Sequence, residues 1–267
     1  MDEEKNVEEG ISSEGSTGDP GMVSPPIEEP EVEAVSTGAA LAGVLVSPTE
    51  TYDRMAQGKP SWNFLIPLFL VVILSMVAGM LYVNKADMGQ VIRNQISQGR
   101  HASKMTDAQM DRAVEMYSKF AKFGPYFSII TVPLSLAVLA FIFWLVIIAF
   151  GDKISFGNTF RVLSWAYLPK ILALLLFIAI LFIKDPNALD PKNPIMSNLG
   201  AVFGKDRLGK PLYALFSNLD VFTLWVLWLY AVGFAAYAKA KTSKMVGVVF
   251  GLFALYVAVH VGLAFIF

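Results

Sequence analysis

The sequence contains no cysteine in 267 residues. Disulfides, thiolate metal sites and a cysteine nucleophile are thereby excluded. Histidine is nearly as scarce. The two present, His101 and His260, do not form the H-E-x-x-H pair of a zinc hydrolase. No G-x-S-x-G nucleophile turn occurs. The long apolar runs hold no glutamate or aspartate at mid-length, although intramembrane proteases and proton-coupled pumps usually need such carboxylates. "GKDRLGK", Gly204 to Lys210, matches the first part of a phosphate-binding loop, but Pro211 follows. Proline supplies neither the magnesium-binding hydroxyl nor a backbone N–H. These gaps predict a non-enzymatic protein with no cofactor, no metal and no nucleic-acid partner.

What the chain has in excess is apolar surface. It is 55% hydrophobic, above the roughly 45–50% of soluble domains. Five runs approach the roughly 20 residues that cross a bilayer. They are about Trp62–Tyr82, Tyr126–Phe150, Phe160–Ile183, Val221–Tyr237 and Met245–Phe267. Lipid offers no partner to a free amide, so each must be helical. No period-2 alternation suggests a barrel. The fold class expected is an all-α, five-span transmembrane bundle with interfacial amphipathic helices.

Charge divides the chain. Residues 1–35 carry eleven acids and one base, and the remainder carries eleven acids and twenty bases. The acidic segment is rich in Glu, Gly, Ser and Pro and is read as a disordered tail, with residues 36–267 forming the membrane domain. The acidic N-terminus argues against a cleavable signal peptide, so the run starting at Trp62 is expected to direct insertion.

Short helices fill the gaps between spans. "SPTE", Ser47 to Glu50, reads as a capping box opening a juxtamembrane helix that ends at Gly58 and Pro60. Leu41 to Val46 reads as an interfacial stretch. In the first long loop, Thr106 and Gln109 form a second capping box. Met110, Ala113, Val114, Tyr117, Phe120 and Ala121 then share one face of a helix that lies on the membrane or covers the bundle. "KPLYALFSNL" in the second loop suits a short interfacial helix.

Within the spans, packing chemistry stands out. Gly247, Gly251, Ala254, Ala258 and Gly262 form a small-residue face on the last helix, suited to close approach within the chain or between two copies. "AKAKTSK" joins the last two spans as an antiparallel hairpin. Asp220 and His260 fall toward the same end of that hairpin, where they could pair, although an interfacial histidine without a role is the preferred reading. Pro169–Lys170 interrupts the third span. The structural reading has Lys170 returning its ammonium toward the Arg161 end, with Pro169 freeing the Trp165 carbonyl for it. The functional reading makes the pair a midplane site for an anion or lipid headgroup, as in a transporter or scramblase.

"LVSPTETYDRM", "MTDAQMDRAVEMYSKF", "FGNTFRVLSWAYLPKIL" and "NLDVFTLWVLWLYAVGF" occur in that order. Together they resemble the Yip-domain (Ypt/Rab-interacting) integral membrane proteins, in a prokaryotic-type form, over about residues 40–267. The resemblance implies a five-span bundle with a cytoplasmic N-terminus. Eukaryotic members act as adaptors for Rab-type GTPases, and the family supplies no catalytic residues. The function expected is therefore a membrane adaptor or organiser that binds proteins or shapes the bilayer. Its expected partners are membrane lipids and protein partners or a second copy of the chain. In a bacterium the expected location is the inner membrane. A raw count of Lys and Arg opposes this topology, with eight on the N-terminal side and twelve on the other. The resemblance and the basic short turns decide for N-inside.

Overall fold

The computed structural model describes residues 35–59, 61–97, 99, 105–189 and 193–266. The acidic tail, apart from Val35, and His101 lie outside these residues. Among the described residues the chain is helical, with no strand and one isolated antiparallel bridge between Asn198 and Asp220. Five stretches are long and apolar enough to cross a membrane: Trp62–Lys85, Gly124–Ala149, Phe156–Ile183, Val221–Ala238 and Thr242–Ala264.

The N-terminal helices are core, not periphery. Helix α1 (Thr37–Val46) is capped by Ser36, whose hydroxyl oxygen accepts from the Ala39 N–H at 3.4 Å. Helix α2 (Pro48–Gln57) starts on Pro48, where a missing N–H costs nothing. The capping box expected at Ser47 does not form. Ser47 is also the C-cap of α1, and its N–H donates to the Gly43 carbonyl at 2.7 Å. Its own carbonyl accepts from the Thr51 hydroxyl at 2.8 Å. The backbone at this tight joint turns the Ser47 side chain away from the amides of α2. Beyond the joint, Tyr52 is fully buried and donates to the Val162 carbonyl at 3.4 Å. Burial, with Tyr237 nearby as a lesser cause, raises the Tyr52 phenol well above its ordinary pKa. The stretch Leu41–Val46, placed at the interface by its sequence, packs inward through Val44, as does Ala40 just before it.

A 3-10 turn at Trp62–Phe64 leads into α3 (Leu65–Lys85), the first span. The first long loop contains α4 (Met88–Ser97), which the sequence reading missed, and α5 (Asp107–Ala121). The capping box of α5 forms as expected: the Thr106 N–H donates to Gln109 Oε1 at 2.9 Å, and the Gln109 N–H donates to Thr106 Oγ1 at 3.3 Å. Arg93 and Asp111 tie α4 to α5. Nothing on α5 is fully buried.

The second span is α6 (Ser128–Ala149). The third is two helices, α7 (Phe156–Trp165) and α8 (Leu168–Ile183), and the second long loop holds α9 (Leu199–Phe203) and α10 (Lys205–Asn218). The last two spans are α11 (Val221–Ala238) and α12 (Thr242–Ile266), packed as the expected hairpin. Lys239 closes α11 in the left-handed region at φ 51°. At the centre lies α11, with 50% of its membrane stretch buried against 17–33% for the other spans. Hydropathy cannot set this order, because lipid and protein neighbours are equally apolar to such helices.

Candidate functional site

The break in the third span precedes Pro169. The Ala166 N–H donates to the Val162 carbonyl at 2.9 Å, and the Tyr167 N–H to the Ser164 carbonyl at 3.3 Å, in a tightened turn that ends α7. Helix α8 then restarts at Leu168 with proline in its first turn. Pro169 therefore sits where helices tolerate it best. Nearby, the buried Ser164 hydroxyl donates to the Phe64 carbonyl, tying α7 to the start of the first span.

Lys170 points opposite to the direction expected. Its Nζ donates to Thr223 Oγ1 at 3.0 Å. Thr223 lies in the first turn of α11, fourteen residues before Tyr237, or roughly 21 Å along a helix. Tyr237 lines one pocket with Arg161, so Lys170 reaches away from the Arg161 end. The competing partner explains this: a hydroxyl and a carboxylate wait at the other end, and a fixed polar partner outweighs a long return to the interface.

That carboxylate is Asp220, the N-cap of α11. Its Oδ1 accepts from the Thr223 N–H at 2.8 Å and from the Thr223 hydroxyl at 3.1 Å. Its Oδ2 accepts from the Ser197 hydroxyl. The Val221 N–H donates to the Ser197 carbonyl at 3.3 Å. Beside it, Asn193 and Asn198 are buried and paired: Asn198 Nδ2 donates to Asn193 Oδ1 at 2.7 Å. Asn198 also caps α9, accepting from the Ala201 N–H at 2.9 Å. Lys170, Asp220, Thr223, Ser197 and the two asparagines face a cavity of about 240 Å³.

The site is thus a polar knot in which Thr223 relays between a cation and an anion. The sequence marks Lys170 and Asp220 as candidates and Thr223 only as one of several scattered span hydroxyls suited to a back-bonded or interhelix contact, without joining the three. The signal was present: Asp followed three residues later by Thr at the start of an apolar run is an N-cap pattern. Ser197, Asn193 and Asn198 carried no such signal, because the fold of the second loop brings them in.

Two of the alternatives that the sequence leaves open are not realised. Asp220 and His260 do not meet. The exposed His260 has Nδ1 2.9 Å from Asn218 Nδ2 and stacks on Tyr256. The small-residue face does not pack within the chain. Gly247, Gly251, Ala254 and Ala258 are exposed and Gly262 is half-buried. A Cβ added at any of the three glycines would meet nothing within 4 Å. The buried side of α12 is instead Met245, Val248, Val249 and Val257. On an all-apolar helix, large residues fill the gaps against α11 and the small ones are left outside.

Residues 42–266 match the family model of the Yip1 domain. No curated protein and no solved structure matches the chain.

Proposed function

The chain belongs to the Yip1 domain family, and from that premise we propose that it is a non-enzymatic membrane adaptor or organiser. Its five apolar helices make it an integral, multi-pass membrane protein in contact with lipid. The observation that carries the adaptor reading is the α4–α5 unit. It stands outside the spans, is held by Arg93–Asp111, and leaves Met116, Tyr117 and Phe120 of α5 exposed on an amphipathic helix. Met110, Ala113, Val114 and Ala121 on the same helix are half-buried within the chain, so the exposed Met116, Tyr117 and Phe120 are the part of the apolar surface left for an outside partner. We assign that face to a protein partner, with the N-terminus cytoplasmic and, in a bacterial host, the inner membrane as the location.

A photo-crosslinking amino acid at position 117, in the protein expressed in its native membrane, tests the assignment. A discrete protein adduct that vanishes with Phe120→Glu while the protein level holds is expected. Adducts to lipid alone would replace the adaptor reading with a bilayer-shaping one.

A second reading, transport or lipid scrambling, is favoured by the polar cavity at Lys170. Its donors and acceptors are largely matched to one another, which favours a structural knot over a transport pathway. Reconstitution in liposomes with anion-flux and lipid-scrambling assays separates the two. Transport abolished by Lys170→Met would establish the second reading.

A further inference from the structure

Helix α11 is short for its place. At eighteen residues it is the shortest of the five membrane-spanning stretches. That is ~27 Å at 1.5 Å per residue, against a hydrocarbon core of ~30 Å. Its C-terminal end runs into the basic turn of Lys239, Lys241 and Lys244, which belongs at a membrane surface. The shortfall therefore lies at the other end, at Asp220.

The third span shows how far short that end falls. The ends of α3 and α8 are level, since Lys85 Nζ donates to the Leu181 carbonyl at 3.0 Å and stands 3.9 Å over the Phe182 ring. Past Lys170, α8 exposes Leu175, Leu176, Phe182 and Ile183, so hydrocarbon reaches its last turn. Ile183 lies thirteen residues beyond Lys170, or roughly 20 Å along the helix. An extended lysine side chain reaches little more than one turn, ~5.4 Å. The 3.0 Å bond from Lys170 to Thr223 therefore holds the first turn of α11 roughly 10 Å inside the level of Ile183.

Irregular backbone is held at that depth with it. The Val221 N–H donates to the Ser197 carbonyl, and Asn198 bridges to Asp220. Residues 193–198 are not helical. Such backbone at membrane depth is tolerated where protein buries it or where it lines water. Here protein does not cover it fully: Lys170, Ser197, Asp220 and Thr223 are all half-buried around their cavity. An open wall of ammonium, carboxylate and hydroxyls is not solvated by acyl chains. Farther along α11 the way closes, because Val226, Leu227, Leu229 and Tyr230 are buried in the bundle.

We propose that the Lys170 cavity is a blind, water-filled recess that enters the membrane from the side of the second loop and ends at Lys170 and Thr223. Its ligands are water and small water-soluble molecules that follow water in. The fourth span then crosses a locally thinned hydrocarbon layer. The recess stands with or without a protein partner on α5.

The chain has no native cysteine, so single cysteines in the full chain, in its native membrane, read the recess. Ser197→Cys places a thiol on its wall. Ile195→Cys places one on a lining side chain outside the polar network and carries the test alone if Ser197→Cys does not fold. The reference is Asn94→Cys, exposed on α4. It lies at the same end, where the Asp87 N–H donates to Asn187 Oδ1 at 2.6 Å. A charged, membrane-impermeant methanethiosulfonate, added from the side that labels position 94, is expected to react at 195 and 197 within about tenfold of the rate at 94. Leu176→Cys lies nearer the end of α8 but is exposed on the helix surface. It should react at least about a hundredfold more slowly, because thiolate and charged reagent are both disfavoured in hydrocarbon. Labelling at 195 and 197 no faster than at 176 would overturn the recess and make the cavity dry. Equal labelling from both sides of the membrane would overturn its blind end and make it a continuous pathway.

Discussion

Gly233 sits on the buried α11 where a Cβ would come 2.5 Å from a methyl of Val162 and 3.1 Å from the Tyr52 ring. Its value is the absence of a side chain, since three helices meet there. Gly233→Ala is expected to destabilise the protein by about 1–3 kcal/mol through overpacking. Val162→Ala in the same chain should restore part of the loss, because the closest clashing methyl goes with it. Thermal melts in detergent followed by tryptophan fluorescence measure both. The Lys170 knot obeys a different rule. Asp220→Ala deletes an N-cap and strips Lys170 of its nearby carboxylate, and a loss of about 1–3 kcal/mol is expected. Lys170→Met leaves Asp220 its bonds to Thr223 and Ser197 and should cost less. Lys170→Glu sets two carboxylates around Thr223 and should cost most. Lys170→Met with Asp220→Asn should cost less than the sum of the single changes, because each single change strands the other charge. Additive losses in the same melts would mean that the two groups do not share a network.

Run length alone placed the five spans and the hairpin of the last two, because a helix is the only spanning structure that satisfies its own backbone. Local chemistry placed α5 and its box. The same chemistry failed at Ser47, where one residue must serve two helices. It set the break in the third span at Pro169–Lys170, whereas α7 already ends in a tightened turn at Ala166–Tyr167 and the proline falls in the first turn of α8. Of the candidate site, Lys170 and Asp220 were legible as polar groups in apolar runs. Their partners from residues 193–198 were not, since contacts across a loop leave no period in the sequence. Periodicity showed that the small residues of α12 share a face, but not where that face points. The outward face yields its own prediction. Gly251→Ala meets nothing within 4 Å, so the better helix former should raise stability by about 0.5–1 kcal/mol. Urea titration in mild detergent reads this. A marked loss, accompanied by a fall in apparent mass, would mean that a second chain normally lies against that glycine.

Across the whole molecule the basic residues are distributed by end. Lys244 bonds the Phe150 carbonyl at 3.0 Å and pairs with Asp152 at 2.7 Å, so the turn after the second span and the turn after the fourth lie at one end. Lys153, Arg161, Lys239 and Lys241 belong to these turns or to the helix just beyond. At the other end, Arg93 and Lys119 of the α4–α5 unit are paired with Asp111 and Glu115. Lys119 also holds the exposed Glu115 carboxyl below its ordinary pKa, first by hydrogen bond and then by charge. Orientation follows the bases near span ends in short loops more than the acids that offset them. The short basic turns lie on the side proposed as cytoplasmic, while the long loops carry the larger count of bases, so labelling decides between the two orientations. The lack of native cysteine makes the test direct. Lys241→Cys and Asn94→Cys change exposed positions at the two ends. In intact cells an impermeant maleimide should label position 94 and spare position 241 until the membrane is opened. Labelling of 241 alone would invert the topology.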